Sequence, residues 1–257
     1  MTESIGFIGT GAITEAMVTG LMGGDDAPSE VIVSARNGVI SARLAANFSQ
    51  VRVEHSNQAI VECADVVVLA IRPQVAEEVI KALSFRPGQR IISVIAATPL
   101  SLLHEWIAAD VKIVQAIPLP FVAQRTGVTA IYPPDAEVAA MFNLLGRSVE
   151  CDKKEDYDLL AAASALMSTY FGVLSSACSW LEKYGLPNDK AQDYLSHLFA
   201  SLSGATLVSG STSFRDLSVE YATPGGLNEQ VLRDFSQHGG ERALHVALDN
   251  VLGRITR

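Results

Sequence analysis

A short apolar run, Ile5-Gly6-Phe7-Ile8, breaks into Gly9-Thr10-Gly11, and the residues from Ala12 to Met22 then take up the spacing of a helix. A strand that turns directly into a helix must reverse within a few residues, which glycine permits at positive φ. The first N–H groups of such a helix have no partner inside it, and with the helix dipole behind them they attract phosphate. Gly9 is expected to make the tight turn and Gly11 to let a pyrophosphate approach the backbone, with Thr10, Ala12 and Ile13 completing the loop. The third position of this fingerprint, usually Gly or Ala, is Thr14, where slightly looser packing of helix on strand is expected. A lone Gly-x-Gly is a weak signal; between a strand and a helix it is a strong one for dinucleotide binding.

The rest of the N-terminal half has the rhythm such a motif needs. Strand-like runs at 5–8, 31–34, 51–54, 66–71, 90–95, 112–117 and 127–132 alternate with helix-like stretches at 12–22, 39–48, 75–83 and 100–107. Unbroken apolar runs such as Val66-Val67-Val68-Leu69 suit strands covered on both faces, as in a parallel sheet. After Asp152 the strand signals fade, and 157–184, 189–208, 226–237 and 241–254 read as helices. The expected architecture is α/β: an N-terminal, doubly wound Rossmann sheet over residues 1–150, followed by an all-helical domain over 151–257.

The second strand ends Ser34-Ala35-Arg36-Asn37. An acid there would hold the 2′-hydroxyl of NAD, whereas an arginine suits the 2′-phosphate of NADP. Arg36, with Ser34 and Asn37, is therefore read as a phosphate pocket, and the cofactor as NADP, with NAD the other candidate. The fourth strand runs into Ala70-Ile71-Arg72-Pro73, a turn at the carboxyl ends of the strands, where ligands bind in open sheets. Asn57, next to a capping Ser56, joins this cofactor set.

Composition excludes other chemistries. A net charge of -9 speaks against a nucleic-acid partner. The three cysteines are far apart, and neither they nor the histidines have metal-ligand spacing, so no metal is expected and the compartment is read as reducing and cytoplasmic. The N-terminus has no secretory pattern. Residues 159–180 carry no formal charge but are rich in Ala, Ser and Thr, and read as a buried helix of a core or subunit interface, not a membrane span. His55 and His104 read as surface positions, and no hydrolase elbow is present.

Taken together, Gly6-Phe7-Ile8-Gly9-Thr10-Gly11, Ala70-Ile71-Arg72-Pro73-Gln74-Val75, Ser93-Val94-Ile95-Ala96-Ala97 and Gly127-Val128-Thr129-Ala130 resemble the pyrroline-5-carboxylate reductase family, and the Thr223-Pro224-Gly225-Gly226 turn extends the likeness into the helical half. The resemblance implies a reductase of a cyclic imino acid that uses NADPH or NADH, with Ala96 among its cofactor contacts. It also implies a swapped-helix homodimer whose active sites lie between Rossmann and helical domains.

The substrate half departs from that family's pattern. Asn-Thr-Pro becomes Leu119-Pro120-Phe121, the Ser-Gly-rich helix start becomes Ala163 to Thr169, and the two threonines after the glycine turn become Leu227 and Asn228. Asn228 falls where the family carries the Thr that contacts the imine. Thr223 is expected to cap a helix starting near Gly225, leaving N–H groups of Gly225, Gly226 and Leu227 for a substrate carboxylate. Asn228 and Thr223 are thus the catalytic candidates, and Met167, Tyr170, Gly225, Gly226 and Leu227 the substrate-binding ones. Glu220, Tyr221 and Glu229 flank them. Two alternatives stand beside imine reduction: a related NADP-dependent dehydrogenase of another imine or a hydroxy acid, and a non-catalytic dinucleotide-binding protein. Alcohol oxidation calls for a positioned base, and the 163–172 helix holds neither Lys nor His.

Overall fold

The computed structural model describes residues 3–256. Eight strands form one sheet in the order β3-β2-β1-β4-β5-β6-β7-β8. They are β1 (Ser4–Ile8), β2 (Glu30–Ser34), β3 (Val51–Glu54), β4 (Val66–Leu69), β5 (Arg90–Ser93), β6 (Lys112–Ile117), β7 (Gly127–Tyr132) and β8 (Gly146–Glu150). The first six are parallel; β7 runs antiparallel to β6, and β8 pairs parallel with β7. This is the doubly wound sheet expected, and its order reverses between β1 and β4.

The crossovers are α1 (Ala12–Met22), α2 (Gly38–Asn47), α3 (Asn57–Cys63), α4 (Pro73–Lys81) and α5 (Leu100–Trp106), with α6 (Ala136–Leu144) between β7 and β8. All four residues of β4 are buried, because helices cover both faces. Alternation along β1 sends Ile5 and Phe7 into one core with Val18, Leu21 and Phe142, and Ile8 into the other with Ile60, Leu69 and Ile80.

The strand β8 escapes sequence reading because Gly146-Arg147-Ser148-Val149-Glu150 is mostly polar and none of it is fully buried. It sits at the edge of the sheet, where pairing needs backbone and little apolar pattern. Its start depends on Gly146, at φ +135, whose added Cβ would lie 2.1 Å from the Gly127 carbonyl oxygen.

The helices of the C-terminal half are α7 (Lys154–Ser164), α8 (Leu166–Lys183), α9 (Asn188–Val208), α10 (Phe214–Glu220), α11 (Leu227–Gln237) and α12 (Gly240–Ile255). The stretch expected as one helix over 157–184 is divided at Ala165, and α10 lies in a region left unassigned from sequence. By contact, the chain forms two compact units, one reaching to Ala161 and including Arg254 onward, the other Ala162–Gly253.

The second unit has a small core of Cys178, Ala191 and Leu195, where α8 meets α9. Large apolar side chains lie open along it, including Phe171 (58% exposed), Trp180 (59%), Phe214 (76%) and Leu227 (80%). Residues 159–180, expected as a buried helix of a core or a subunit interface, do not lie in a core of this chain: their apolar surface faces outward. The stretch Lys154–Lys183 is, by length and composition, apolar enough to cross a membrane, and only 6% of its most apolar window is buried.

Packing within the first unit generates a stability test. Gly20 lets α1 lie against the 3-10 turn Pro120–Gln124, and a Cβ there would meet the Val122 carbonyl oxygen at 2.1 Å and Leu145 Cδ2 at 2.7 Å. In an open helix Gly→Ala stabilises by about 1 kcal/mol. Overpacking costs about 1–3 kcal/mol and more against rigid backbone, so it wins here. Gly20→Ala should lower the urea midpoint of unfolding. Gly253→Ala, with nothing within 4 Å of its Cβ, should leave it equal or higher.

Candidate active site

Three strand ends meet where the sheet order reverses. Gly9 takes φ +99 directly after β1, and a Cβ on it would stand 2.3 Å from the carbonyl oxygen of Ala70, after β4. Only glycine fits that crossing. The turn is braced from β2: the Gly9 N–H donates to Ser34 Oγ (3.1 Å), and Thr10 Oγ1 donates to the Ser34 carbonyl oxygen (2.6 Å). The Thr10 and Ser34 hydroxyls also lie 3.0 Å apart, and both residues are buried. Ser34, expected to help form a phosphate pocket, turns its hydroxyl into the loop. Its role in this geometry is to hold the glycine turn.

Thr14 likewise departs from expectation. It is fully buried, and its Oγ1 donates to the Gly9 carbonyl oxygen at 2.7 Å, tying the first turn of α1 back to the loop. The hydroxyl satisfies a backbone acceptor where Gly or Ala would leave it open, so the packing is tightened.

Above this turn lies a cavity of 240 Å³ lined by Gly9, Thr10, Gly11, Arg36, Asn37, Ala70, Ile71, Arg72 and Val75. Gly11 begins α1 without any side-chain cap, and a Cβ on it would meet nothing within 4 Å. The N–H groups of the first helical turn thus open onto free space. Arg36, after β2, and Arg72, after β4, both line the cavity, and neither has an ion-pair partner among the described residues. An uncapped helix start, an open glycine and two unpaired guanidiniums fit the pyrophosphate and ribose phosphate of a dinucleotide.

Ala12, Ile13, Pro73, Asn57 and Ala96, the other cofactor candidates, do not line this cavity. Ala12 and Ile13 form the first turn of α1, and Pro73 occupies the first turn of α4. Asn57 starts α3, which Ser56 caps by accepting from the Ala59 N–H at 3.3 Å. Asn37 Oδ1 accepts from the Ile40 N–H (3.3 Å), so this cavity residue also caps α2. Ala96 precedes Ala97, which holds φ +49, and the next residue, Thr98, accepts at its carbonyl from buried Gln115 (2.7 Å). Val75 is a lining residue not singled out from sequence; its place one turn into α4, after Arg72-Pro73, was the available signal.

In the second unit the Thr223–Gly226 turn differs from expectation. The N-cap of α11 is Gly226, without a side-chain cap, and Thr223 contributes its carbonyl, which accepts from the Gly226 N–H at 2.7 Å. The Gly225 N–H donates to Glu229 Oε2 at 2.5 Å. Asn228 spends an amide N–H on the Tyr221 carbonyl oxygen (2.8 Å), tying α11 to the end of α10. Two of the N–H groups expected to be open are therefore engaged within the chain. Leu227 begins the helix and is 80% exposed. Met167 is half-buried on α8, and Tyr170 packs edge-on against Phe171 and Phe199, at 5.3 and 5.9 Å between ring centres.

Residues 4–97 match the family described as NADP oxidoreductase, coenzyme F420-dependent. A pyrroline-5-carboxylate reductase of Pseudomonas aeruginosa is 27% identical over 96% of this chain and 94% of its own length. In fold, the chain is similar to the 1-pyrroline-5-carboxylate reductase of Streptococcus pyogenes, with a TM-score of 0.85 at 24% identity over 99% of this chain and 98% of that one. A Plasmodium falciparum pyrroline carboxylate reductase solved with NADP bound gives 0.82 at 17% identity, over 98% and 97%. Along nearly its whole length in sequence, and in fold, the chain is similar to pyrroline-5-carboxylate reductases.

Proposed function

We propose that this protein is an NADPH-dependent reductase of a cyclic imino acid, delivering a hydride to a C=N bond. The observation that carries the reading is the braced Gly9–Gly11 turn opening onto a cavity with two unpaired arginines, in a chain related throughout to imine reductases. Residues 1–150 are assigned to cofactor binding, and 151–257 to substrate and subunit association. Gly11, Ala12 and Ile13 would hold the pyrophosphate, and Arg36 the 2′-phosphate. When bound, NADPH supplies the hydride. A protonated imine accepts hydride without a strong base, so the chain's task is positioning and exclusion of water. The turn at 223–228 is assigned to the polar end of the substrate, and Met167 and Tyr170 to its ring. Leu119 and Phe121, in the segment that is Asn-Thr-Pro in the resembled family, favour a bulkier or less polar imine than pyrroline-5-carboxylate, since an apolar pocket tolerates extra methylenes at about 1–3 kcal/mol each.

The direct test is NADPH oxidation with pyrroline-5-carboxylate, pyrroline-2-carboxylate, piperideine-2-carboxylate and simple cyclic imines side by side. Turnover of at least one supports the reading. NADPH binding with no turnover across the panel favours a binding protein without catalysis. For the cofactor, Arg36→Ala should weaken NADPH binding about ten-fold or more while sparing NADH, the loss of one charged hydrogen bond. Equal losses for both cofactors would remove Arg36 as the selector.

The open apolar surface of the second unit is assigned to a homodimer interface in a soluble, cytoplasmic enzyme. Phe171, Trp180, Phe214 and Leu227 are too large and too exposed to be left in water together. Light scattering at micromolar concentration should give twice the 27.4 kDa chain mass. A monodisperse monomer would overturn the assignment.

A further inference from the structure

We propose that Gln115 is a positioning residue for cofactor binding: one buried hydrogen bond from its side chain sets the loop at 94–98, on which the nicotinamide half of the dinucleotide would rest. The proposal deepens the reductase reading above and rests on it. Arg36 follows β2, and the open Gly11 turn follows β1. A dinucleotide whose 2′-phosphate meets Arg36 and whose pyrophosphate meets Gly11 has its remaining half across the reversal of the sheet, over β4 and β5. The chain that leaves β5 there is Val94–Thr98. It starts against the cavity, because the Val94 N–H donates to the carbonyl oxygen of Leu69, the residue before Ala70, at 3.0 Å. Ala96 and Ala97 are exposed at its tip, while Ile95 and Thr98 are buried at its base.

The loop is held, not relaxed. Ala97 has φ +49, a left-handed backbone that a Cβ disfavours, and such a residue persists only where its surroundings enforce it. The enforcing contact comes from β6. Gln115, 4% exposed, donates from Nε2 to the carbonyl oxygen of Thr98, the residue after Ala97, at 2.7 Å. Thr98 Oγ1 closes the loop from inside by donating to the Ala96 carbonyl oxygen at 3.2 Å. The other end of the same amide is left over: Gln115 Oε1 is buried and has no hydrogen-bond partner among the described residues. A buried amide with one bond made and one acceptor stranded gains the core little over an apolar side chain of the same length. What it supplies is the fixed place of Thr98, and through it the shape of the loop tip.

The experiment measures calorimetric binding to the full-length protein with two probes. One is NADP⁺; the other is 2′,5′-ADP, which keeps the phosphorylated adenosine and lacks the nicotinamide half. Methionine matches glutamine in length and removes the stranded oxygen, but it releases the Thr98 carbonyl. In Gln115→Met the Kd for NADP⁺ should rise about ten-fold, the scale of one hydrogen bond, with 2′,5′-ADP and the urea midpoint unchanged. Gln115→Glu separates the bond from the shape, since a carboxylate cannot donate to Thr98 and a protonated acid can. Its ratio of the two Kd values should be raised at neutral pH and return toward that of the unaltered protein as pH falls; titration of the shared 2′-phosphate cancels in the ratio. Equal weakening of both probes, or an unchanged ratio, in either variant would overturn the proposal and leave Gln115 as a packing residue. Should Gln115→Met fail to fold, the pH series decides alone, and a ratio flat with pH overturns the proposal. Absence of turnover with every cyclic imine would overturn the reductase reading, while the binding ratio, which needs no turnover, still decides on Gln115.

Discussion

The approach of Gly9 to Ala70 is the contact on which the site depends. The residues that follow β1 and β4 pass so close that a Cβ on Gly9 would stand 2.3 Å from the Ala70 carbonyl oxygen, at the point where the sheet order reverses and leaves a crevice. The glycine alone permits the crossing but does not hold it. Rigidity comes from β2, whose Ser34 accepts from the Gly9 N–H and receives the Thr10 hydroxyl at its carbonyl, and from Thr14 on α1. Four elements are thereby locked to one turn with their polar groups satisfied inside the protein. The N–H groups at the start of α1 are the ones left over, and they are the ones a phosphate uses.

Much of this was legible in the chain. The apolar β-branched runs marked seven strands, and the Gly-x-Gly between strand and helix marked the turn. What sequence reading misjudged was the direction of small hydroxyls. Ser34 and Thr14 look alike whether they face a ligand or a backbone carbonyl, and only the packing decides. Strand β8 was hidden because an edge strand built of Arg147, Ser148 and Glu150 needs no apolar alternation. Residues 159–180 are read from composition as buried in a core or at a subunit interface. Composition reports that the surface must be covered, not whether this chain covers it.

The two units are held together in different ways. The Rossmann unit has two apolar layers, one on each face of its sheet, and nearly every strand residue from β1, β4 and β5 is out of water. The Ala162–Gly253 unit has helices at least as long but only a single small cluster between α8 and α9, while α10, α11 and α12 bury no residue fully. Long helices draw most of their stability from tertiary burial of an apolar face, not from propensity. A unit so poor in internal burial, and so rich in outward Phe, Trp and Leu, carries an apolar surface large enough to call for cover.

How far a substitution spreads differs between the 223–229 turn and the Gly9–Gly11 turn. The features that hold that turn, from Gly9 and Thr10 to Ser34 and Thr14, are mutually dependent, and altering one strands a buried polar group of another at a cost of about 1–3 kcal/mol. The 223–229 turn carries no such interlock: its contacts, Glu229 to Gly225 and Asn228 to Tyr221, lie at exposed positions. Substitutions there leave the interlock around Gly9 untouched. Departure from the pattern of the proteins the chain resembles is accordingly concentrated at Leu227 and Asn228, where no buried polar group of the glycine loop depends on it.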